Sequence, residues 1–185
     1  MNILIIDIET TGLSPKNGSI VEIGIVELNL ETGSSKVIYD KLCHQKPITL
    51  NHVKNSWIVE MGYITIEEIR KSIDFRLIKD EIQSIINLYP RGVTAYNKKF
   101  DIGFLEAAGI TFPKILDCPM ILSTPLCKLP STYKGHGKYK YPKVEECYDF
   151  LFPDNDYTEK HRGADDALHE AEIVYELYKR KIFTI

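Results

Sequence analysis

Asp7 and Glu9 stand two residues apart in Ile3-Leu4-Ile5-Ile6-Asp7-Ile8-Glu9-Thr10-Thr11-Gly12, a run that opens as a buried strand and then places two carboxylates where a core should continue. Side chains alternate along a strand, so both acids point to one face, about 7 Å apart, while Ile6 and Ile8 fill the other. Two anions held this close on a rigid element repel each other and lose hydration. A divalent cation removes that cost, and Mg²⁺ or Mn²⁺ prefers carboxylate oxygens, so the pair points to a metal site. The alternative is a strand end at which both acids are solvated.

Three further residues have the chemistry to join them. Asp101 falls in the first turn of a helix that follows the short strand Gly92-Val93-Thr94-Ala95-Tyr96; Asn97 is its expected N-cap and Gly109 its stop. Alone, an acid there only favours the helix dipole. His161 precedes a helix that runs to about Lys181, and Asp166 lies in its first turns. Asp166 shares a stripe with Ile173 and Leu177, distinct from the stripe of Ala164, Leu168, Ala171 and Tyr175, so it faces protein rather than water. Asp165 and Glu172 have less apolar company.

The elements that must position these groups follow from periodicity. Ile20 to Leu28 and Lys36 to Cys43 read as strands that build an antiparallel sheet with the Asp7 strand. Helical patterns follow from Thr65 to Ser72 and from Asp74 to Leu88, after the breakers Pro47 and Asn51. Trp57, the single tryptophan, is expected to pack in the core, with base stacking as the alternative. Ile115 to Leu122 reads as a fifth strand running into a helix. Tyr141-Pro142-Lys143 starts another, with Val144, Cys147, Tyr148 and Leu151 inside.

Between Ser123 and Val144 no acid occurs, and Lys128, Lys134, Lys138, Lys140 and Lys143 are interleaved with Tyr133, Tyr139, Tyr141 and His136. Lysines that neutralise phosphate beside tyrosines that stack bases suit single-stranded nucleic acid; a solvated basic loop is the alternative. A formal net charge of -3 gives no global pull toward nucleic acid, so local patches and metal ions would have to hold it. At 185 residues, 44% hydrophobic and 26% charged, one globular domain is expected over 1–185. Cys43, Cys118, Cys127 and Cys147 form no Cys-x-x-Cys pair, which argues against a zinc site or a disulfide framework. No run resembles a signal peptide or a membrane span, so a cytoplasmic protein with no membrane partner is expected.

Taken together, Asp7-Ile8-Glu9-Thr10-Thr11-Gly12-Leu13, Asn97-x-x-Phe100-Asp101 and His161-x4-Asp166 resemble, in order and spacing, the three motifs of the DEDD 3′–5′ exonucleases with a catalytic histidine. That family includes the epsilon proofreading subunit of DNA polymerase III, ribonuclease T and oligoribonuclease. The resemblance spans residue 3 to about residue 181. It departs from the family at Tyr96, where histidine commonly precedes the asparagine, and at Gly163-Ala164.

The resemblance implies an α/β, ribonuclease H-like fold, a mixed central β-sheet flanked by α-helices. It implies two divalent metal ions, Mg²⁺ or Mn²⁺, one on Asp7, Glu9 and Asp166 and the other on Asp7 and Asp101. His161 would be the general base. The backbone of Thr10 and Thr11, the side chain of Leu13 and Asn97 would meet the terminal nucleotide. The implied reaction is hydrolysis of single-stranded DNA or RNA from a free 3′ end to nucleoside 5′-monophosphates. A nuclease for short RNA and a non-catalytic nucleic-acid-binding or polymerase-associated module are the competing readings. With no long tail after the last helix, a stand-alone enzyme is expected over a polymerase-tethered one; relatives occur as monomers and as dimers.

Overall fold

The structure, a computed structural model, describes residues 1–45, 53–131, 138–155 and 157–185. Strands β1 (Asn2–Thr10), β2 (Ile20–Asn29) and β3 (Ser35–His44) pair antiparallel in succession. Their isoleucines and valines fit a pleated, buried surface. The β2–β3 turn is set by Asn29, whose Oδ1 accepts from the backbone N–H groups of Glu31 and Thr32, and by Gly33 at φ +77°. Two short parallel strands complete the sheet: β4 (Ile73–Asp74) beside β3, and β5 (Val93–Thr94) beside β1, in the order β4-β3-β2-β1-β5.

Among the described residues the helices are α1 (Trp57–Glu60), α2 (Ile66–Lys71), α3 (Phe75–Asn87), α4 (Lys98–Ala107), α5 (Pro119–Cys127), α6 (Val144–Leu151) and α7 (Gly163–Lys179). They cover both faces of the sheet. Ile3, Ile5, Val26 and Leu28 pack against α5, α6 and α7, while Leu4, Ile6, Ile8, Ile23 and Ile25 pack against α3 and α4. Each such side chain contributes about 1.5–3 kcal/mol on burial, so β1 is pinned from both sides. Asp7 and Glu9 therefore continue the Ile3–Ile5 face, the one α7 covers.

The expected helices end where their caps are. Thr65 and Glu68 form a reciprocal capping box at α2, and Asp74 Oδ1 accepts from the Arg76 N–H at 3.0 Å to start α3. Val144, Cys147, Tyr148 and Leu151 are all buried, as their spacing requires.

Two expectations are corrected and a third, the Asn97 cap, is met in position alone. Ile115 forms one parallel bridge to Val93 and not a strand, because Pro113 and Pro119 bracket the segment and Pro119 opens α5. Asn97 occupies the N-cap position of α4, but its side chain makes no capping bond. Trp57 is 53% exposed instead of core, since α1 is a single turn lying over a small satellite cluster of Val21, Val53, Ile58, Ile64 and Ile69. Pro47, Asn51, Tyr133, Lys134 and His136 lie outside the described residues. Among those described, no helix is long and apolar enough to cross a membrane.

Candidate metal centre and active site

The site exists because α7 can come very close to the sheet. Asp7 pairs with Gly24 across β1 and β2, and Gly163 opens α7 directly above them. A Cβ on Gly24 would overlap the Gly163 backbone, and one on Gly163 would lie 2.8 Å from the Gly24 nitrogen. Two glycines thus set the approach. Glu22, one strand position before that contact on the same face, is 1% exposed and receives a bidentate bond from Arg162, with Nε at 3.0 Å and Nη2 at 2.8 Å from Oε1. The Gly163 N–H donates to its other oxygen at 3.2 Å. This charge-assisted fork fixes the residues on either side of Arg162.

Asp166 is 1% exposed and folds back onto the segment before its helix. Its Oδ1 accepts from Tyr157 Oη at 2.8 Å and from the Lys160 N–H at 3.1 Å, and its Oδ2 from the Arg162 N–H at 2.8 Å. Asp101 arrives from the opposite edge. β5 pairs with β1 at Leu4 and Ile5, and beyond its end the Ile8 N–H donates to Asp101 Oδ1 at 3.3 Å. Asp7, Glu9, Asp101 and His161 line one cavity of about 180 Å³, and ligand atoms of Glu9, His161 and Asp166 lie within 4.8 Å of one another. The structure therefore brings all five residues of the three motifs together.

Two lining acids, Glu159 and Glu170, were missed by sequence reasoning. Glu170 had a signal: it sits one turn after Asp166 on the buried stripe that continues to Ile173 and Leu177, where an acid is out of place. Glu22 had one too, an acid inside the apolar run of β2. Glu159 lies in irregular chain with no period to betray it.

Crowding shapes the protonation of these groups. Burial first, then the charges of Glu170, Asp101, Glu9 and Asp166, holds the Asp7 carboxyl far above the usual carboxylate range. Burial and Asp166 push Glu9 up to about 9. Asp101 rises to about 7 through burial, restrained by its bond from Ile8, and Glu159 to about 7 through burial and Asp166. Glu170 is raised strongly by burial and by Asp101. Such shifts mark carboxylates that lack a counter-charge. No lysine or arginine lines the cavity among the described residues, and a donor set of carboxylate oxygens with one imidazole suits a divalent cation of Mg²⁺ or Mn²⁺ type. The residues present fit that group.

His161 adopts a left-handed backbone, φ +53°, which turns its ring toward α1. The imidazole meets Trp57 edge-to-face at 4.7 Å between ring centroids and Tyr63 at 4.4 Å. Burial lowers its pKa, so the ring is neutral near neutral pH. Beside the cavity lies a groove of about 300 Å³ lined by Leu13, Asn97, Lys99, Phe100 and Phe104. Leu13 is 89% exposed at its rim. Thr10 donates to the Gly12 carbonyl at 2.8 Å and Thr11 Oγ1 accepts from the Ser19 N–H at 2.9 Å, so both hydroxyls brace the loop that presents Leu13. In the basic segment, Lys140 is paired with Glu146 and Tyr141 is 61% exposed.

Comparison with known proteins bears on the family and the fold. The sequence pattern of the RNase T family, described as exonuclease, matches residues 4–174. The chain is 28% identical over 190 residues to a PolC-type DNA polymerase III from Clostridium perfringens; the match covers 96% of this chain and spans 11% of that protein's length. The nuclease domain of 3′hExo, a DEDDh family member crystallised with rAMP, superposes with a TM-score of 0.66 at 18% identity, covering 100% of this chain and 96% of that one. A zinc-bound form of Escherichia coli ExoI with single-stranded DNA superposes with a TM-score of 0.67 at 14% identity, over 97% of this chain and 41% of that one. At these identities the two structures establish the fold, which is ribonuclease H-like.

Proposed function

The chain belongs to the RNase T exonuclease family, and we propose that within it the protein is a metal-dependent 3′–5′ exonuclease acting on single-stranded DNA or RNA and releasing nucleoside 5′-monophosphates. The observation that carries this reading is the cavity where Asp7, Glu9, Asp101 and His161 meet beside Asp166, with no lysine or arginine among the described lining residues.

Asp7, Glu9, Asp101 and Asp166 would hold two divalent ions, Mg²⁺ or Mn²⁺. When bound, such ions lower the pKa of an attacking water and offset charge on the scissile phosphate and the leaving oxygen. His161 accepts the water's proton at an imidazole nitrogen; its lowered pKa keeps that nitrogen unprotonated at neutral pH, and the faces of Trp57 and Tyr63 hold the ring in place. The groove beside Asn97 takes the terminal base, with Phe100 as a stacking surface, Leu13 wedged at the rim and Lys99 near the phosphate. The backbone at Thr10 and Thr11 closes the pocket around a free 3′ end. The DEDDh relative with rAMP and the ExoI complex with single-stranded DNA support a ligand of this class.

Digestion of 3′- and 5′-labelled single-stranded DNA and RNA in Mg²⁺, Mn²⁺ or EDTA tests the reading. Mononucleotides should leave from the 3′ end only, and only with metal. Internal cuts, release from the 5′ end or turnover in EDTA would overturn it.

A further inference from the structure

We propose that Glu170 is a fifth carboxylate of the divalent-metal site, adding its charge to those of Asp7, Glu9, Asp101 and Asp166; the inference rests on the metal-dependent reading above. Glu170 is 3% exposed on α7 and lines the same cavity as Asp7 and Asp101. Its stripe on the helix continues into Ile173 and Leu177, both fully buried, so an apolar side chain would fill the position without desolvating a charge. An acid there carries a desolvation cost, which a cation in the cavity would offset.

The protein itself supplies little. Among the described residues Asp166 receives three hydrogen bonds, from Tyr157, Lys160 and Arg162, whereas Glu170 receives one, from the Tyr96 N–H to Oε2 at 3.2 Å. Among the described residues no lysine or arginine lines the cavity. Asp7 and Glu170 line the same cavity, so the two carboxylates face one space. A cation that satisfies Asp7 lies within reach of Glu170's field. The bond to Tyr96 also aims the side chain, tying α7 to the β5–α4 junction that carries Asp101.

Glu170→Gln separates charge from structure, because the amide oxygen still accepts from Tyr96. Mn²⁺ binding measured by titration calorimetry at fixed pH should weaken at least fivefold, while the metal-free protein melts at the same temperature or higher, as one repelling charge is gone. A merely structural Glu170 would give the reverse pattern, a lower melting temperature with Mn²⁺ affinity changed less than fivefold, and either of those results overturns the proposal. Should the Gln variant fail to fold, Glu170→Ala is read against the same Mn²⁺ threshold. Wild-type protein that binds no Mn²⁺ would overturn both this inference and the metal-dependent reading; wild type that binds while Glu170→Gln binds equally overturns this inference alone.

Discussion

A carboxylate surrounded by carboxylates is a group whose removal relieves the apo protein and disables the loaded one. Asp7 is the centre of that crowd, raised by burial and by Glu170, Asp101, Glu9 and Asp166. Asp7→Ala is therefore expected to lower turnover by at least about 1000-fold, several kcal/mol of barrier, while the melting temperature in EDTA stays level or rises. Nuclease assay and calorimetry on the same preparation check both halves. His161 depends on its aromatic neighbours instead. Ring pairs of this kind contribute about 0.5–1.5 kcal/mol, so Trp57→Ala should reduce kcat by roughly 2- to 12-fold with KM for metal unchanged. The five motif residues were legible because their spacing is set by strand and helix geometry. Trp57 was not: burial preference averages over tryptophans, and nothing in Asn55-Ser56-Trp57-Ile58 says that α1 is one turn long and lies beside a histidine 104 positions away.

Among elements, the contact between β2 and α7 decides whether a site forms at all. Gly24 and Gly163 touch backbone to backbone, and Arg162 straps the start of α7 to Glu22. Gly24→Ala has no flexible side chain to displace, only the Gly163 peptide, so α7 must lift. Overpacking of that kind costs about 1–3 kcal/mol, which urea unfolding would read as a lower midpoint at constant slope. Activity should fall further than stability, since Asp166 and His161 move with α7. The sequence carried the helix, its stripe and Asp166's inward direction, all local in period; it did not carry the Glu22–Arg162 fork, because Glu22 stands out inside the apolar run of β2 but its partner, 140 residues away, reads locally as an ordinary surface charge. The Ile115 segment was misread for the opposite reason: its composition is strand-like, but two prolines leave it a single bridge.

For the whole molecule, the carboxylate cluster makes stability depend on pH and on metal together. Glu9 is pushed to about 9, Asp101 and Glu159 to about 7, and Asp7 and Glu170 are raised as well, whereas the unfolded chain titrates these groups near 4. Between those limits the native state holds more protons than the unfolded state, so its stability is fully present below about pH 4 for these groups and is lost as pH climbs toward 9. Glu27, Glu68, Glu146 and Glu176 shift the other way, but their contribution is lost only on acidification through the ordinary carboxylate range; inside the window His161, lowered by burial, and Cys147, lowered to about 7 by its bond with Cys127, oppose the fall, two groups against five. In EDTA the melting temperature should therefore fall between pH 5 and pH 9, by roughly 5–10 °C for a few kcal/mol in a chain of this size. Saturating Mg²⁺ or Mn²⁺ displaces the protons the cluster would otherwise keep and binds the native state alone, so it should raise the melting temperature most at pH 9 and flatten the slope. A metal-free protein whose melting temperature rises across that range, or a slope that metal leaves unchanged, would mean the carboxylates are solvated separately and share no cation.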